Sequence, residues 1–431
     1  MYEAMEGAQE SIWLAAWFLT PALRLLRPPG DRDEPPGGGG APHAFLPLLT
    51  RKVDQVDVRV LLWPGGRLGA WSTRHVATVR DTLARAHPRL RVRLDPHERF
   101  AHAQHQKALI VDGRVAFVGG IDMTAFDADR WDVPGHPYRS GPNWHDAHWQ
   151  LKGPCVADVA ANFVQRWNVT APDNPVTTPP PPTVLPNGVQ AQVQRTIPTG
   201  IYSFAPRGIR GIAHAYCHAI ARAERFIYLE SQYLWSPVIT EALAAAMAQN
   251  GAGGLQIALV LPSHPNIGKA DTDRHVEALL RADAGRGVFH AYTLYTSWRD
   301  GATGRYRYRP IYVHAKAAVI DDAWVTLGSA NLNGRGMATD SEMNVSTDDP
   351  TTARALRLRL WSEHLACSEA TLRDADPAGL LWERWPIVAA AQQQIVARRS
   401  GPLTAPLYPY PLGHREADFG PGELEAALLD R

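Results

Sequence analysis

Cysteine is scarce in this chain, with three in 431 residues, at Cys155, Cys217 and Cys367. They are far apart and odd in number, which argues against a disulfide framework or a cysteine-based zinc site. An excess of one charge is missing too: 44 Lys and Arg stand against 43 Asp and Glu, a formal net charge of +1. Proteins that neutralise many nucleic-acid phosphates carry a basic face, so no nucleic-acid partner is expected. Long apolar runs are also absent. No stretch of about 18 apolar residues escapes polar interruption, so no transmembrane helix is expected. The opening MYEAMEGAQESIWLAAWFL lacks the basic start and clean apolar centre of a secretory signal. Cytoplasmic residence, or peripheral attachment to a membrane, is the default, with export without a signal peptide left open.

What is present is ordinary globular composition, 45% hydrophobic and 20% charged, in a chain long enough for two domains or for two similar halves. Two segments stand out. Residues 27–43, RPPGDRDEPPGGGGAPH, read as a surface insertion. Residues 171–187, APDNPVTTPPPPTVLPN, read as a stiff Pro-rich tether between folded units. The boundaries that follow are 1–170 for an N-terminal repeat, 171–190 for the linker, 191–400 for a C-terminal repeat, and 401–431 for an irregular tail.

The two sides of the tether resemble each other. AMEGAQESIWLAAWFL gives a helical pattern through Ala4 and Ala8, then an apolar strand over Ile12–Leu19. AIARAERFIYLESQYL repeats it, with Ala219 and Ala223 before a strand over Phe226–Leu234. Short β-rich runs follow at 56–63 and 255–262, each preceded by a helical stretch. The expected fold is α/β: two similar halves, each a mixed sheet flanked by helices, related by a pseudo-twofold axis with the active site between them.

Each half carries the same constellation, His105-x-Lys107-x4-Asp112 and His314-x-Lys316-x4-Asp321. Seven residues after each Asp comes a small pair, Gly119-Gly120 and Gly328-Ser329, and two residues later a polar side chain, Asp122 and Asn331. The chain has only five lysines, Lys52, Lys107, Lys152, Lys269 and Lys316, and two of them sit in the motifs. One such match is expected by accident on the order of 0.01 times per chain, so two buried strands with incidental polar residues explain the pair poorly.

On a strand, His and Lys two apart point to one face, while Gln106 and Ala315 point to the other. A phosphodiester anion repels nucleophiles, and two ammonium groups can neutralise it. One neutral imidazole can attack phosphorus while the other, protonated, donates to the leaving oxygen. Neither half has both imidazoles, so the site belongs at their junction. A reactive imidazole needs an orienter on its second nitrogen. Asp146 and Glu342 follow the two motifs at comparable distances, and the expectation is that Asp146 serves His105 and Glu342 serves His314.

These residues resemble the phospholipase D superfamily, in particular its eukaryotic-type branch. GGID with DADRWD (127–132), GHPYR and WHDAHWQLKGPCVADVAANFVQRW (144–167) are similar to that branch's first catalytic repeat. FIYLESQYL (226–234) and YVHAKAAVIDDAWVTLGSANLNGRGMATDSE are similar to its second. The resemblance covers most of residues 1–400. It implies phospholipase D activity, hydrolysis or transphosphatidylation of glycerophospholipid headgroup esters through a covalent phosphohistidine. His105 would be the nucleophile, His314 the acid and base, and Lys107, Lys316 and Asn331 the phosphate holders. Asp112 and Asp321 would support the site without touching substrate. Phospholipid at a membrane surface and a water or small alcohol acceptor are the implied partners. No cofactor and no metal is implied, calcium dependence is left open, and oligomeric state is not addressed. Two departures stand out: Asp122 stands where the simpler bacterial members carry Asn, and Ala15 stands where many relatives carry Glu, although its repeat partner Glu230 is kept.

Alternatives of the same chemistry are a cardiolipin-synthase-like phosphatidyltransferase, a secreted antibacterial effector and a superfamily nuclease. A catalytically idle lipid-binding scaffold belongs to a different class, and intact motifs argue against it. His97, His102, His136, His145 and His148 flank the first motif, but match no ligand spacing; His145 reads as packing or substrate rim. The 14 tryptophans, including Trp13, Trp17 and Trp167, lie mostly on periodic apolar segments and read as core.

Overall fold

The computed structural model describes residues 1–26, 43–65, 70–99, 102–125, 132–139 and 141–413. Short runs rich in Val, Ile, Leu and Ala form its strands, as their β-branched content favours. In the N-terminal half these are β1 (Ser11–Ala16), β2 (Asp57–Leu62), β3 (Arg91–Leu94), β4 (Ala108–Val111), β5 (Val115–Gly119), β6 (Trp144–His145) and β7 (His148–Lys152). After the tether come β8 (Gln192–Ile197), β9 (Ile209–Arg210), β10 (Phe226–Glu230), β11 (Leu234–Trp235), β12 (Gln256–Val260) and β13 (Phe289–Arg299). The series ends with β14 (Tyr306–Val313), β15 (Ala317–Ile320), β16 (Trp324–Gly328), β17 (Leu332–Asn333), β18 (Glu342–Thr347) and β19 (Leu407–Pro409).

The first sheet runs β3-β2-β1-β4-β5-β7, and the second contains β13-β12-β10-β15-β16-β18 in the same order. The senses match as well. β1, β2 and β3 are parallel, as are β10, β12 and β13. The remaining neighbours in each six-strand core are antiparallel. The repeat seen in the sequence is therefore a repeat of topology. The second sheet is extended by β14 and β6 at one end, by β8 and β9 at the other, and by β19 against β13.

Alternation along β1 sets the packing. Ile12 and Leu14 join Val58, Val60 and Leu62 under the helices Phe45–Lys52 and Ala70–Ala86. Trp13 and Ala15 point the other way, onto helix Cys155–Thr170 through Phe163 and Trp167. Met343 and Val345 of β18 enter that same cluster, and β5 touches both β16 and β18. One apolar layer thus belongs to both halves. It is continuous across the junction of the halves, which fixes the two motifs relative to each other. The second sheet is covered on both faces, by helices Gly211–Ile220, Pro237–Asn250 and Lys269–Asp283 on one side and by Pro350–His364 and Trp385–Arg398 on the other. Among the described residues, no helix is long and apolar enough to cross a membrane.

Several expectations need correcting. β1 ends at Ala16 rather than Leu19, because the backbone N–H of Trp17 turns to the Asp122 carboxylate and that of Thr20 to the Met123 carbonyl. The second run breaks after Glu230 and resumes as β11, paired with β17. The tail is not wholly irregular: Leu407–Pro409 pairs with β13, and Leu407 and Tyr410 are buried. Residues 171–190 form neither helix nor strand. Of the surface insertion, residues 27–42 lie outside the described residues, as do 127–131 of the DADRWD run and 414–431 of the tail.

Candidate active site

Each motif sits at the entrance of a β-hairpin. The strands β4 and β15 begin one residue after the lysine, so His105, Lys107, His314 and Lys316 lie on the lead-in rather than on the strand itself. Opposite facing still holds. Gln106 turns away, taking Asn162 Nδ2 at 2.7 Å and Arg166 at 2.9 Å on its carbonyl oxygen.

The motif aspartates end these hairpins. Asp112 and Gly113 have φ of 55° and 62°, and Asp321 and Asp322 have φ of 54° and 51°, a left-handed pair that opens each three-residue loop, 112–114 and 321–323. Asp tolerates this region better than most residues. The Asp112 carboxylate accepts the backbone N–H groups of Gln9, Glu10 and Ser11 at 2.7–3.1 Å. Asp321 does the same for Glu224, Arg225 and Phe226 at 2.6–3.0 Å. Each aspartate therefore fastens the hairpin to the start of the neighbouring central strand. Neither touches the cavity, as a supporting role requires.

The two histidines meet. His105 and His314 line one cavity of about 180 Å³, with Asn331, Gln232, Trp17, Trp63, Tyr233 and Trp235 around them. His314 also borders a second, larger cavity of about 370 Å³, lined by Tyr2, Leu23, Leu25, Ile121 and Met123 together with Glu3, Arg24 and Asp132. The lysines do not line either cavity. Both are buried, each turned back on its own histidine: Lys107 Nζ reaches the His105 carbonyl at 2.9 Å, and Lys316 Nζ donates to the His314 carbonyl. Lys107 also pairs with Asp122 at 3.0 Å, under the face of Trp17. At the equivalent place the second half carries the neutral Asn331, whose Nδ2 lies 3.4 Å from Gln232.

The orienters are exchanged relative to expectation. His105 Nδ1 lies 2.9 and 3.1 Å from the two oxygens of Glu342, and His314 Nδ1 lies 2.7 Å from Asp146. The reason is a reciprocal strand crossing. The His105 N–H bonds to the Ser341 carbonyl, and the His314 N–H bonds to the His145 carbonyl. Gln104 bridges Ser341 in parallel, as Val313 pairs His145 in β14 and β6. Each half thus sends the segment after its own motif across to the other half's histidine. Burial raises the pKa of Asp146, and Lys316 opposes that.

The small pairs make room for this. A Cβ on Gly120 would lie 2.1 Å from Asp146 Oδ1. At the matching position the Ser329 hydroxyl donates to Glu342. Sequence reasoning missed Ser329 as a contact of the orienter, and missed Trp17 and Trp144, whose rings lie 5.4 Å from His105 and 5.1 Å from His314. The repeated spacing of the small pair was a usable signal for the first; nothing in the sequence marked the tryptophans.

The flanking histidines do not form one cluster. His97 bonds Asp95, His102 lies by Asp340, and burial lowers the pKa of His148 to about 4. His136 and His145 converge on Glu363. His145 lines neither of the two cavities that His314 borders, so the rim reading is corrected to packing.

With Nδ1 of both imidazoles on carboxylates, reaction falls to the Nε2 atoms. Two such bases in one small cavity can divide nucleophilic and acid–base roles.

The family model described as "Cardiolipin synthase, PLD-like domain" matches residues 216–362. Phospholipase D A of Dictyostelium discoideum is 26% identical over 84% of this chain and 34% of its own length. Phospholipase D alpha 4 of Arabidopsis thaliana is 26% identical over 84% of this chain and 62% of its own. The chain therefore spans a third to under two thirds of these relatives. Among solved structures, phosphatidylserine synthase of Haemophilus influenzae Rd KW20 superposes with a TM-score of 0.54 at 14% identity, covering 83% of this chain and 81% of that one.

Proposed function

We propose that this chain, which belongs to the phospholipase D superfamily, is a phospholipase D that transfers the phosphatidyl group of a glycerophospholipid through a phosphohistidine to water or a small alcohol. The observation that carries this reading is the meeting of His105 and His314 in one cavity, each with Nδ1 held by a carboxylate from the other repeat. The larger cavity that also borders His314 joins apolar walls (Tyr2, Leu23, Leu25, Ile121, Met123) to polar ones (Glu3, Arg24, Asp132), which is compatible with an amphipathic substrate.

In the first step Nε2 of His105 attacks phosphorus, the bond from phosphorus to the headgroup oxygen breaks, and His314 gives that oxygen a proton. In the second step His314 takes a proton from water or an alcohol, whose oxygen displaces His105 from phosphorus. This division of roles follows the family resemblance. Asn331, which lines the cavity with both histidines, would contact the phosphoryl oxygens, while Lys107 and Lys316 would act from beneath as buried positive charge. The reaction draws on side chains of this chain and on no cofactor. One imidazole must be neutral and the other protonated, which gives a bell-shaped pH profile.

The test is headgroup release from mixed phospholipid vesicles, with and without ethanol, and in EDTA and in calcium. Release together with phosphatidylethanol, equal in EDTA and calcium, and lowered by about 10⁴-fold or more in His105→Ala and His314→Ala, is the expected result. A wild-type chain that turns over no phospholipid would sink the reading. Transfer to alcohols without hydrolysis would move it to a phosphatidyltransferase.

A further inference from the structure

Beneath the strap that carries Asp146 lies a line of buried ionisable groups with no part in the reaction so far. His145 is 4% exposed, and both its nitrogens face carboxylates: Nε2 lies 2.8 Å from Glu230, and Nδ1 lies 3.0 Å from Glu363. Glu363 also takes His136 Nε2 at 2.8 Å, whose Nδ1 lies 3.0 Å from Asp132. Glu230 also takes His364 Nε2 at 2.8 Å and the Tyr228 hydroxyl. Two carboxylates on one ring require a proton on each nitrogen, so His145 is an imidazolium. Burial by itself would lower its pKa, but Glu230 first and Glu363 with it hold it well above the ordinary value. Despite burial, the same contacts hold Glu230 and Glu363 well below theirs.

The backbone of this residue is the seat of the second motif. The His145 carbonyl accepts the N–H groups of both His314, at 2.8 Å, and Ala315, at 3.1 Å. The next residue is Asp146. The strap is held on its other side too, where Asp132 accepts the Trp144 N–H at 3.1 Å and the Asn143 carbonyl accepts Tyr312 N–H at 2.9 Å. Asp146 makes a single contact with His314, so its distance depends on where the strap sits. At the pseudo-equivalent place in the first half stands Ser341, and Ala15 stands where Glu230 does, so the clamp exists on one side only.

We infer that His145, gripped between Glu230 and Glu363, is a positioning residue that sets Asp146 against His314 and so tunes the acid–base imidazole, resting on the division of roles proposed above. Glu363 lies farther back and opens on a separate cleft of about 740 Å³, so it touches nothing that reacts.

The distinguishing experiment compares leaving groups, using the full chain and its Glu363→Gln and His145→Phe variants. An alkyl headgroup needs His314 to protonate it; p-nitrophenolate, a weak base, leaves without help. Against a phospholipid that the wild type cleaves, Glu363→Gln should lose about 10–100-fold in kcat with little change in KM. With phosphatidyl-p-nitrophenol the same variant should release about one p-nitrophenol per chain in a burst near the wild-type rate, then slow, because the second step still needs His314 as base. His145→Phe should show the same pattern more strongly; if it fails to fold, Glu363→Gln carries the test alone. Equal losses on both substrates, or no loss on either, would overturn the inference. So would one tightly bound divalent cation per purified chain that Glu363→Gln releases, since His136, His145 and Glu363 would then be metal ligands. If the wild type is inactive on all phospholipids, the functional reading has failed by itself. The inference is then read from the ¹⁵N shifts of His314, assigned by loss of its signals in His314→Gln. They should move in Glu363→Gln, and unchanged shifts would overturn it.

Discussion

The two repeats share a strand order and a motif, yet they hold their histidines differently. Around His105 the carboxylate is long, Glu342, engaged through both oxygens and steadied by the Ser329 hydroxyl. Around His314 it is short, Asp146, engaged through one oxygen and set in the space that a side chain on Gly120 would fill. The first lysine is paired with Asp122, while the second half has Asn331 at that place. The strap under the first histidine is an ordinary serine backbone, and the strap under the second is clamped through His145. A duplicated fold therefore supplies two equivalent imidazoles, and the residues behind them remove the equivalence. That suits a reaction in which one histidine bonds to phosphorus and the other only moves protons.

The sharpest way to break this comparison is at the small pair. Gly120→Ala places a methyl where the Asp146 carboxylate lies, so the orienter of His314 must move by about 1 Å, a displacement that costs on the order of 100-fold in rate. Ser329→Ala removes one hydrogen bond to Glu342 and leaves both of its contacts with His105, so the expected loss is about 10-fold or less. Steady-state kinetics of the two variants decide it. Equal losses would mean that the two orienters are held alike, and the asymmetry would carry no chemistry.

The aspartates that close the hairpins are the matching control, since here the halves agree. Asp112→Asn and Asp321→Asn keep the left-handed turn, which Asn tolerates, but lose the negative charge shared by three backbone N–H groups. Each should lower stability by about 1–2 kcal/mol, measured by urea unfolding, with kcat nearly unchanged. A large fall in kcat at unchanged stability would place these carboxylates in the reaction instead.

Much of this was legible in the sequence. The motif spacing, the shared tail and the apolar runs sufficed for the repeat, the mixed sheets and the site at the junction. Local sequence carries those features because strand patterning and turn chemistry are local. The orienter pairing was not legible. Asp146 and Glu342 follow their motifs similarly, and only the joining of β6 to β14, and of Gln104 to Ser341, sends each across the interface. That choice belongs to the packing of two sheets, which leaves no mark on either segment. The burial of Lys107 and Lys316 was hidden for a similar reason: alternation fixes which face a side chain leaves from, not how far its flexible stem turns back. The strand in the tail went unseen because Leu407–Pro409 holds a proline and is only three residues long, a pattern suited to an edge.

The smallest expected effect concerns the cavity wall on the His105 side. Glu98 receives the Trp63 indole N–H, and burial raises its pKa from 4.5 to about 7. Folding therefore favours the protonated carboxyl. The stabilisation this gives is complete below about pH 4.5 and is lost as pH rises through about 7. Glu98→Gln keeps an acceptor for Trp63 and cannot ionise, so its melting temperature should gain on that of the wild type by a degree or two across this window, with the two curves parallel above it. The clamp around His145 has the opposite limit on its acidic side, since Glu230 and Glu363 are held below their ordinary range and lose their contribution as pH falls below about 4.5. Glu98 and the clamp thus titrate in separate windows, the first losing stabilisation as pH rises from about 4.5 to about 7 and the second losing it as pH falls below about 4.5. Parallel curves for wild type and Glu98→Gln between about pH 4.5 and about 7 would remove Glu98 from that contrast.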